Sequence, residues 1–283
     1  MKRVNFPVAR TEKEQLNPLF TNPLEPYPGL TVDDLNRYLP AIRKADDIAM
    51  TPDTMEEGLF LADALDGLKR LPDNSIDLVL TAPPVSPWRD IGTQGRKMTL
   101  QEYYTWNNKW LQESQRVLKN TGAVYLLCGW RFSGMYHALL SDYFKVQTRI
   151  TWRDRNAAKQ DQNTTWFNEI GDIWLATKTG DFVFNSIMKV DGKKVQDSGV
   201  TENISNLWLE YFTAGSKHEK GDLPEPLLNK IIRASSFKLS WVVDPFMRRG
   251  SVGVAVKNKG RRFIGFETDQ DSLLVAMKRI DQS

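Results

Sequence analysis

The chain is poor in cysteine, and its charge is nearly balanced. Cys128 is the single cysteine in 283 residues and sits within the apolar run Val124-Tyr125-Leu126-Leu127-Cys128, which excludes an internal disulfide framework and a cysteine-rich zinc site. A buried, inert thiol is expected there, and no metal site. No apolar segment follows Met1-Lys2-Arg3, and no run of about 18 apolar residues occurs. Neither export nor a membrane partner is therefore indicated, and a cytoplasmic protein is expected. Lys and Arg number 38 against 35 Asp and Glu, a formal charge of +3 that permits a polyanionic partner without requiring one. Internal repeats and low-complexity tracts are absent as well. What is present is ordinary hydrophobic content, 41%, enough for one large core, together with nine Trp and eight Tyr that serve either core packing or base stacking.

The organisation changes along the chain. Residues 1–57 are rich in Pro, Asn and charge and predict an N-terminal extension of arms and turns, with one short helix over 32–44 after the N-cap Thr31. From Gly58 the pattern alternates between strand and helix periods. A strand is predicted at 59–61, a helix at 63–71 and a buried strand at 76–80. A long amphipathic helix follows at 100–118, closed by Asn120-Thr121-Gly122, and then an apolar strand at 123–128. This succession implies parallel strands in an α/β doubly wound, Rossmann-like sheet. Residues 146–184 are strand-like around a polar interruption at 153–163, and 185–217 have the composition of a loop, so 151–217 reads as an insert within a domain spanning 58–283. The pattern then restarts with a helix at 226–235, a strand at 241–244, a turn at 245–251, a helix at 252–259, a strand at 263–267 and a helix at 271–280.

Two strings carry the chemistry. The first is Leu78-Val79-Leu80-Thr81-Ala82-Pro83-Pro84-Val85, a buried strand running into a diproline. The second is Val242-Val243-Asp244-Pro245-Phe246-Met247-Arg248-Arg249-Gly250-Ser251, a strand, a turn and a helix start, followed 17 residues past Gly250 by Glu267 at the end of another strand. In this order and spacing, over some 220 residues, the chain resembles the N6-adenine/N4-cytosine DNA methyltransferases, in the permuted branch where the catalytic motif precedes the cofactor motif.

The resemblance implies S-adenosylmethionine as cofactor. A glycine turn lets the backbone approach that molecule, and an acid at the next strand end binds the ribose hydroxyls. Asp63, Asp244, Phe246, Gly250, Ser251 and Glu267 are the cofactor-binding positions so implied. Arg248 stands where the family has its first glycine, with Arg249 beside it. The catalytic tetrapeptide of the family, (D/N/S)-P-P-(Y/F/W), is here Ala82-Pro83-Pro84-Val85. In the family the first residue and a proline-region carbonyl hold the amine of an extruded base, and the aromatic stacks on it. Ala82 accepts no hydrogen bond and Val85 has no ring, so only the diproline backbone persists. Ser86 and Trp88 offer a hydroxyl and a ring in a shifted register.

Double-stranded DNA is the partner the resemblance implies, with Arg89, Arg96, Lys97, Arg153, Arg155 and Lys159 bordering the cleft as phosphate contacts. Three functions remain open on these residues. One is a homologue that binds duplex DNA but is catalytically impaired or depends on a partner, as a homodimer or as a heterodimer with an active methyltransferase subunit. Another is a working methyltransferase with variant motifs. The last is a Rossmann-like enzyme whose Arg248-Arg249 turn holds a phosphate-bearing ligand.

Overall fold

A computed structural model describes residues 29–84, 98–153, 169–185, 205–209 and 222–283. The chain divides into two compact units, residues 1–41 and 42–283. In the first, α1 (Val32–Tyr38) starts at Thr31, whose hydroxyl accepts from the Asp34 amide while the Asp34 carboxylate accepts from the Thr31 amide. The helix expected to reach residue 44 stops at Tyr38 and passes into a short 3-10 turn, Leu39–Ala41. Pro40 in that turn has no N–H to continue the ladder.

The second unit begins earlier than the composition suggested. Residues 42–57, read from sequence as extension, include β1 (Arg43–Lys44), an edge strand paired in parallel with β2 (Gly58–Leu61). Glu57 adds to this attachment by accepting from the Phe263 amide at 3.0 Å and pairing with Lys257.

The remaining elements are α2 (Ala64–Lys69), β3 (Ile76–Thr81), α3 (Leu100–Val117), β4 (Leu118–Gly129), α4 (Trp130–Tyr143), β5 (Lys145–Arg153), β6 (Ile170–Thr177) and β7 (Leu207–Trp208). They are followed by α5 (Glu225–Ala234), β8 (Trp241–Asp244), α6 (Ser251–Asn258), β9 (Arg262–Glu267) and α7 (Gln270–Asp281). One nine-stranded sheet runs β1-β2-β9-β8-β3-β4-β6-β5-β7. Strands β1 to β4 in that order are all parallel, β6 is antiparallel to both its neighbours, and β7 pairs in parallel with β5. The α/β doubly wound class is as the alternating pattern predicts, with an antiparallel strand added near one edge.

Alternation along the strands builds a core on each face. Val79, Val124, Leu126, Val243, Ile264 and Phe266 pack under α2, α3 and α4, whereas Leu78, Leu80, Tyr125, Val242 and Phe263 pack under α5, α6 and α7. The helices obey their own caps: Thr99 and Glu102 form a capping box at α3, and Asp269 accepts from the Ser272 amide at α7.

Two local expectations differ. Asn120-Thr121-Gly122 does not close a helix, because the backbone enters β4 already at Leu118, where Ile76 is its strand partner. The sequence reading also missed α4, although Tyr136, Leu139 and Leu140 fall at the i, i+3, i+4 spacing of a helix and are buried. Within the expected loop 185–217, Leu207 and Trp208 form β7; residues 186–204 and 210–221 lie outside the described residues.

Candidate functional site

Strand order switches between β8 and β3: β8 leads outward to β9 on one side and β3 to β4 on the other, and open α/β sheets place their crevice at such a gap, beyond the carboxyl ends of the strands. The sequence-predicted residues converge there. Asp63 follows β2, Glu267 ends β9, Asp244 ends β8, and Ala82-Pro83-Pro84 leaves β3. Asp63 and Glu267 share one corner of the rim, since Leu61 is opposite Glu267 and the Ala62 amide donates to the Glu267 carbonyl at 2.9 Å.

A buried side-chain hydrogen bond joins the ends of β3 and β8. Thr81, the last residue of β3, donates its hydroxyl to Asp244 Oδ1 at 2.6 Å, and both residues are buried. The same carboxylate oxygen accepts from the Phe246 amide at 3.0 Å, which starts the turn after β8. Burial pushes the Asp244 carboxyl up to about 7, against the lowering effect of Thr81 and the Phe246 amide. Sequence reading quoted Thr81 within its strand but gave it no role; a hydroxyl ending an otherwise apolar run was the available signal.

The turn itself keeps a glycine geometry on changed residues. Gly250 has φ +77, and a Cβ there would meet the Ala276 Cβ of α7 at 3.0 Å, so glycine is required twice over. Arg248 holds φ +50, the left-handed backbone that the first glycine would adopt freely. Its amide also bonds the Glu267 carboxylate, which accepts from the Thr268 and Asp269 amides at 2.8 Å each. Burial raises the Glu267 carboxyl, and these amides oppose the shift. Glu267 therefore ties three backbone amides at the strand end that was expected to receive a ribose.

Ser251 opens α6 and bonds Asp222, which is also paired with Arg279 at 3.2 Å; Arg279 in turn donates to the Arg249 carbonyl. Burial and the neighbouring Arg279 push the Arg249 guanidinium down from its usual value. Asp63 is occupied as the N-cap of α2, accepting from the Leu65 amide at 2.8 Å. The crevice bounded by Ala82, Asp244, Phe246, Arg248, Arg249 and Ser251 is about 30 Å³, enough for roughly two waters.

On the catalytic side, Ala82 turns its methyl group onto the core and supplies no polar atom. Pro84 is anchored from α3: the Tyr103 hydroxyl donates to the Pro84 carbonyl at 2.5 Å and lies 3.0 Å from the Tyr136 hydroxyl, which donates to Asn107. Phe246 packs between Trp106 and Trp110 of α3, with ring centroids 5.3 and 5.2 Å apart. This aromatic wall joins the turn after β8 to the helix after the diproline. The sequence reading singled out none of its tryptophans or Tyr103. Of the expected DNA contacts, Arg153 ends β5 and pairs with Glu169 at 2.9 Å. Val85, Ser86, Trp88, Arg89, Arg96, Lys97, Arg155 and Lys159 lie outside the described residues. Among the described residues no helix is long and apolar enough to cross a membrane.

Comparison with known proteins agrees with this arrangement. The family described as DNA methylase, N6_N4_Mtase, matches residues 76–278. The chain is 30% identical over 239 residues to the type II methyltransferase M.HpaI of Haemophilus parainfluenzae, covering 80% of this chain and 75% of that protein. It is 27% identical over 250 residues to the type II methyltransferase M2.DpnII of Streptococcus pneumoniae, covering 79% and 89%. The crystal structure of the M1.HpyAVI–SAM complex superposes with a TM-score of 0.60 at 22% identity, covering 80% of this chain and 100% of the other, a likeness of fold. With its strand ends, its turn and these matches taken together, the chain belongs to the N6-adenine/N4-cytosine DNA methylase family.

Proposed function

We propose that this protein is a DNA-binding member of its family whose own methyl transfer is impaired or depends on a partner. The observation that carries this reading is at the end of β3. A target amine needs a side-chain acceptor beside the diproline; Ala82 has none, and the neighbouring hydroxyl of Thr81 is buried and donated to Asp244. Losing one positioned transition-state partner costs roughly a hundredfold or more in rate.

The residues fit S-adenosylmethionine only in part. Asp63 and Glu267 stand at the strand ends that suit an adenosine, but Asp63 caps α2, the Glu267 carboxylate is held by three backbone amides, and Arg248 and Arg249 stand in the turn where the family has its glycine. These departures are the ground for reading cofactor binding as weakened. DNA binding requires neither feature, because phosphate contacts need cationic side chains rather than a cofactor or a target-amine acceptor.

Calorimetric titration with S-adenosylmethionine, alone and with duplex DNA, tests the reading. Salt-dependent DNA binding without the cofactor is expected, together with no transfer of labelled methyl groups from S-adenosylmethionine to genomic DNA by the purified chain. Tight cofactor binding with methyl transfer by the chain alone would refute impairment.

A further inference from the structure

The motif that should end in an aromatic ring ends here in Val85, so a base drawn out of a duplex has no ring waiting for it at that position. A ring does stand just past the end of the neighbouring strand. β4 pairs in parallel with β3, Leu126 opposite Thr81, and runs on to Gly129; the next residue, Trp130, begins α4 on the same rim as the diproline. The two segments are held together by one side chain. Tyr103 donates to the Pro84 carbonyl, and its ring packs edge-on against Phe132 in the first turn of α4, with centroids 5.3 Å apart.

Trp130 differs from the tryptophans that build the core. Trp110, Trp152, Trp174, Trp208 and Trp241 are each at most 9% exposed, whereas Trp130 is 53% exposed. Exposing a large aromatic forfeits the burial that stabilises the others and leaves a ring face open to a stacking partner. The Arg131 guanidinium lies 5.6 Å from the Trp130 ring centroid, so the rim at this point combines a π-face with a cation. A stacked base beside a phosphate asks for that pair of groups.

Building on the DNA-binding reading, we propose that Trp130 is the stacking platform for an unpaired nucleobase at the end of β3 and β4, in place of the ring absent from position 85, with Arg131 contacting the adjoining phosphate. The platform is indifferent to base identity because every base presents a π-face.

The test uses the full chain with single-stranded oligonucleotides of dA or dC, whose bases need no extrusion, and an abasic oligonucleotide of the same length. Trp130→Ala is expected to weaken binding to the base-bearing strands by about five- to a hundredfold and to leave the abasic strand unchanged. Trp130→Phe should recover binding to within about threefold, since a ring is restored. If wild type binds single strands and Trp130→Ala binds equally well, or loses the abasic strand to the same degree, the platform is overturned while DNA binding stands. If wild type binds neither single nor double strands, both readings fall. If Trp130→Ala keeps its DNA affinity but loses a dimer in sedimentation, the ring belongs to an interface between copies and the platform is overturned.

Discussion

Thr81 and Asp244, 163 residues apart in the chain, share a 2.6 Å hydrogen bond at the gap where strand order reverses. The bond adds a buried side-chain tie to the backbone pairing of β3 with β8, at the end that leads into the diproline and the cofactor-type turn. Thr81→Val keeps the shape and removes the donor, leaving the Asp244 carboxylate with one partner fewer. Hydrogen bonds to charged groups contribute about 1.5–3 kcal/mol, so urea unfolding at pH 8 should show a loss of that order. The loss should shrink at pH 5, where Asp244 is protonated. An equal loss at both pH values would show that the carboxylate charge is irrelevant to the bond.

The Asp244 carboxyl also predicts a pH profile. Its folded value, about 7, lies above the roughly 3.9 of an unfolded aspartate, so the folded chain holds the proton more tightly. The stability this contributes is fully present below about pH 4 and is lost as the pH rises through 7. Relative to Asp244→Asn, wild type should lose up to about 1.4 kcal/mol per pH unit within that window. Denaturant midpoints of the two proteins between pH 4.5 and 7.5 check this; parallel curves would remove Asp244 as the titrating group.

Arg248 bears a backbone penalty that glycine would not. The left-handed conformation costs an L-residue roughly 1–2 kcal/mol, and glycine's greater unfolded freedom returns about 0.5–1 kcal/mol of that. Arg248→Gly should therefore stabilise the fold by up to about 1.5 kcal/mol in chemical denaturation. It should also admit S-adenosylmethionine in a calorimetric titration. Ala82→Asp with Val85→Tyr is expected to restore methylation only when Arg248→Gly is present; activity from the first two alone would show that the turn does not block the cofactor.

Gly250 predicts the opposite response. Gly250→Ala meets both φ +77 and the Ala276 Cβ at 3.0 Å. The left-handed cost of about 1–2 kcal/mol and an overpacking cost of about 1–3 kcal/mol act together, so a loss above roughly 2 kcal/mol is expected. A thermal midpoint within a degree of wild type would mean that α7 yields freely at this contact.

The local pattern of the chain determined most elements. Strand β8 falls where its apolar run and the Asp-Pro that follows place it, and β3, β9, α3 and α7 lie within a residue or two of their predicted ends, because periods of 2.0 and 3.6 and capping residues are local properties. Family membership was legible for the same reason: the motifs are contiguous strings in a fixed order. Partners of strands are not local. A strand's alternation says which residues face a core but not which strand lies beside it, so the antiparallel β6 and the placement of β8 against β3 had to come from tertiary structure. The site divides along the same line. Sequence named Asp63, Ala82, Asp244, Gly250 and Glu267 and showed the acceptor and the ring to be missing. Folding alone decided that Thr81 would be consumed by Asp244, that Tyr103 would grip Pro84, and that Trp130 would stand exposed on the same rim. The first two are contacts between residues distant in the chain, set by the requirement that buried polar groups find partners, and the third follows from where β4 ends beside β3 in the sheet.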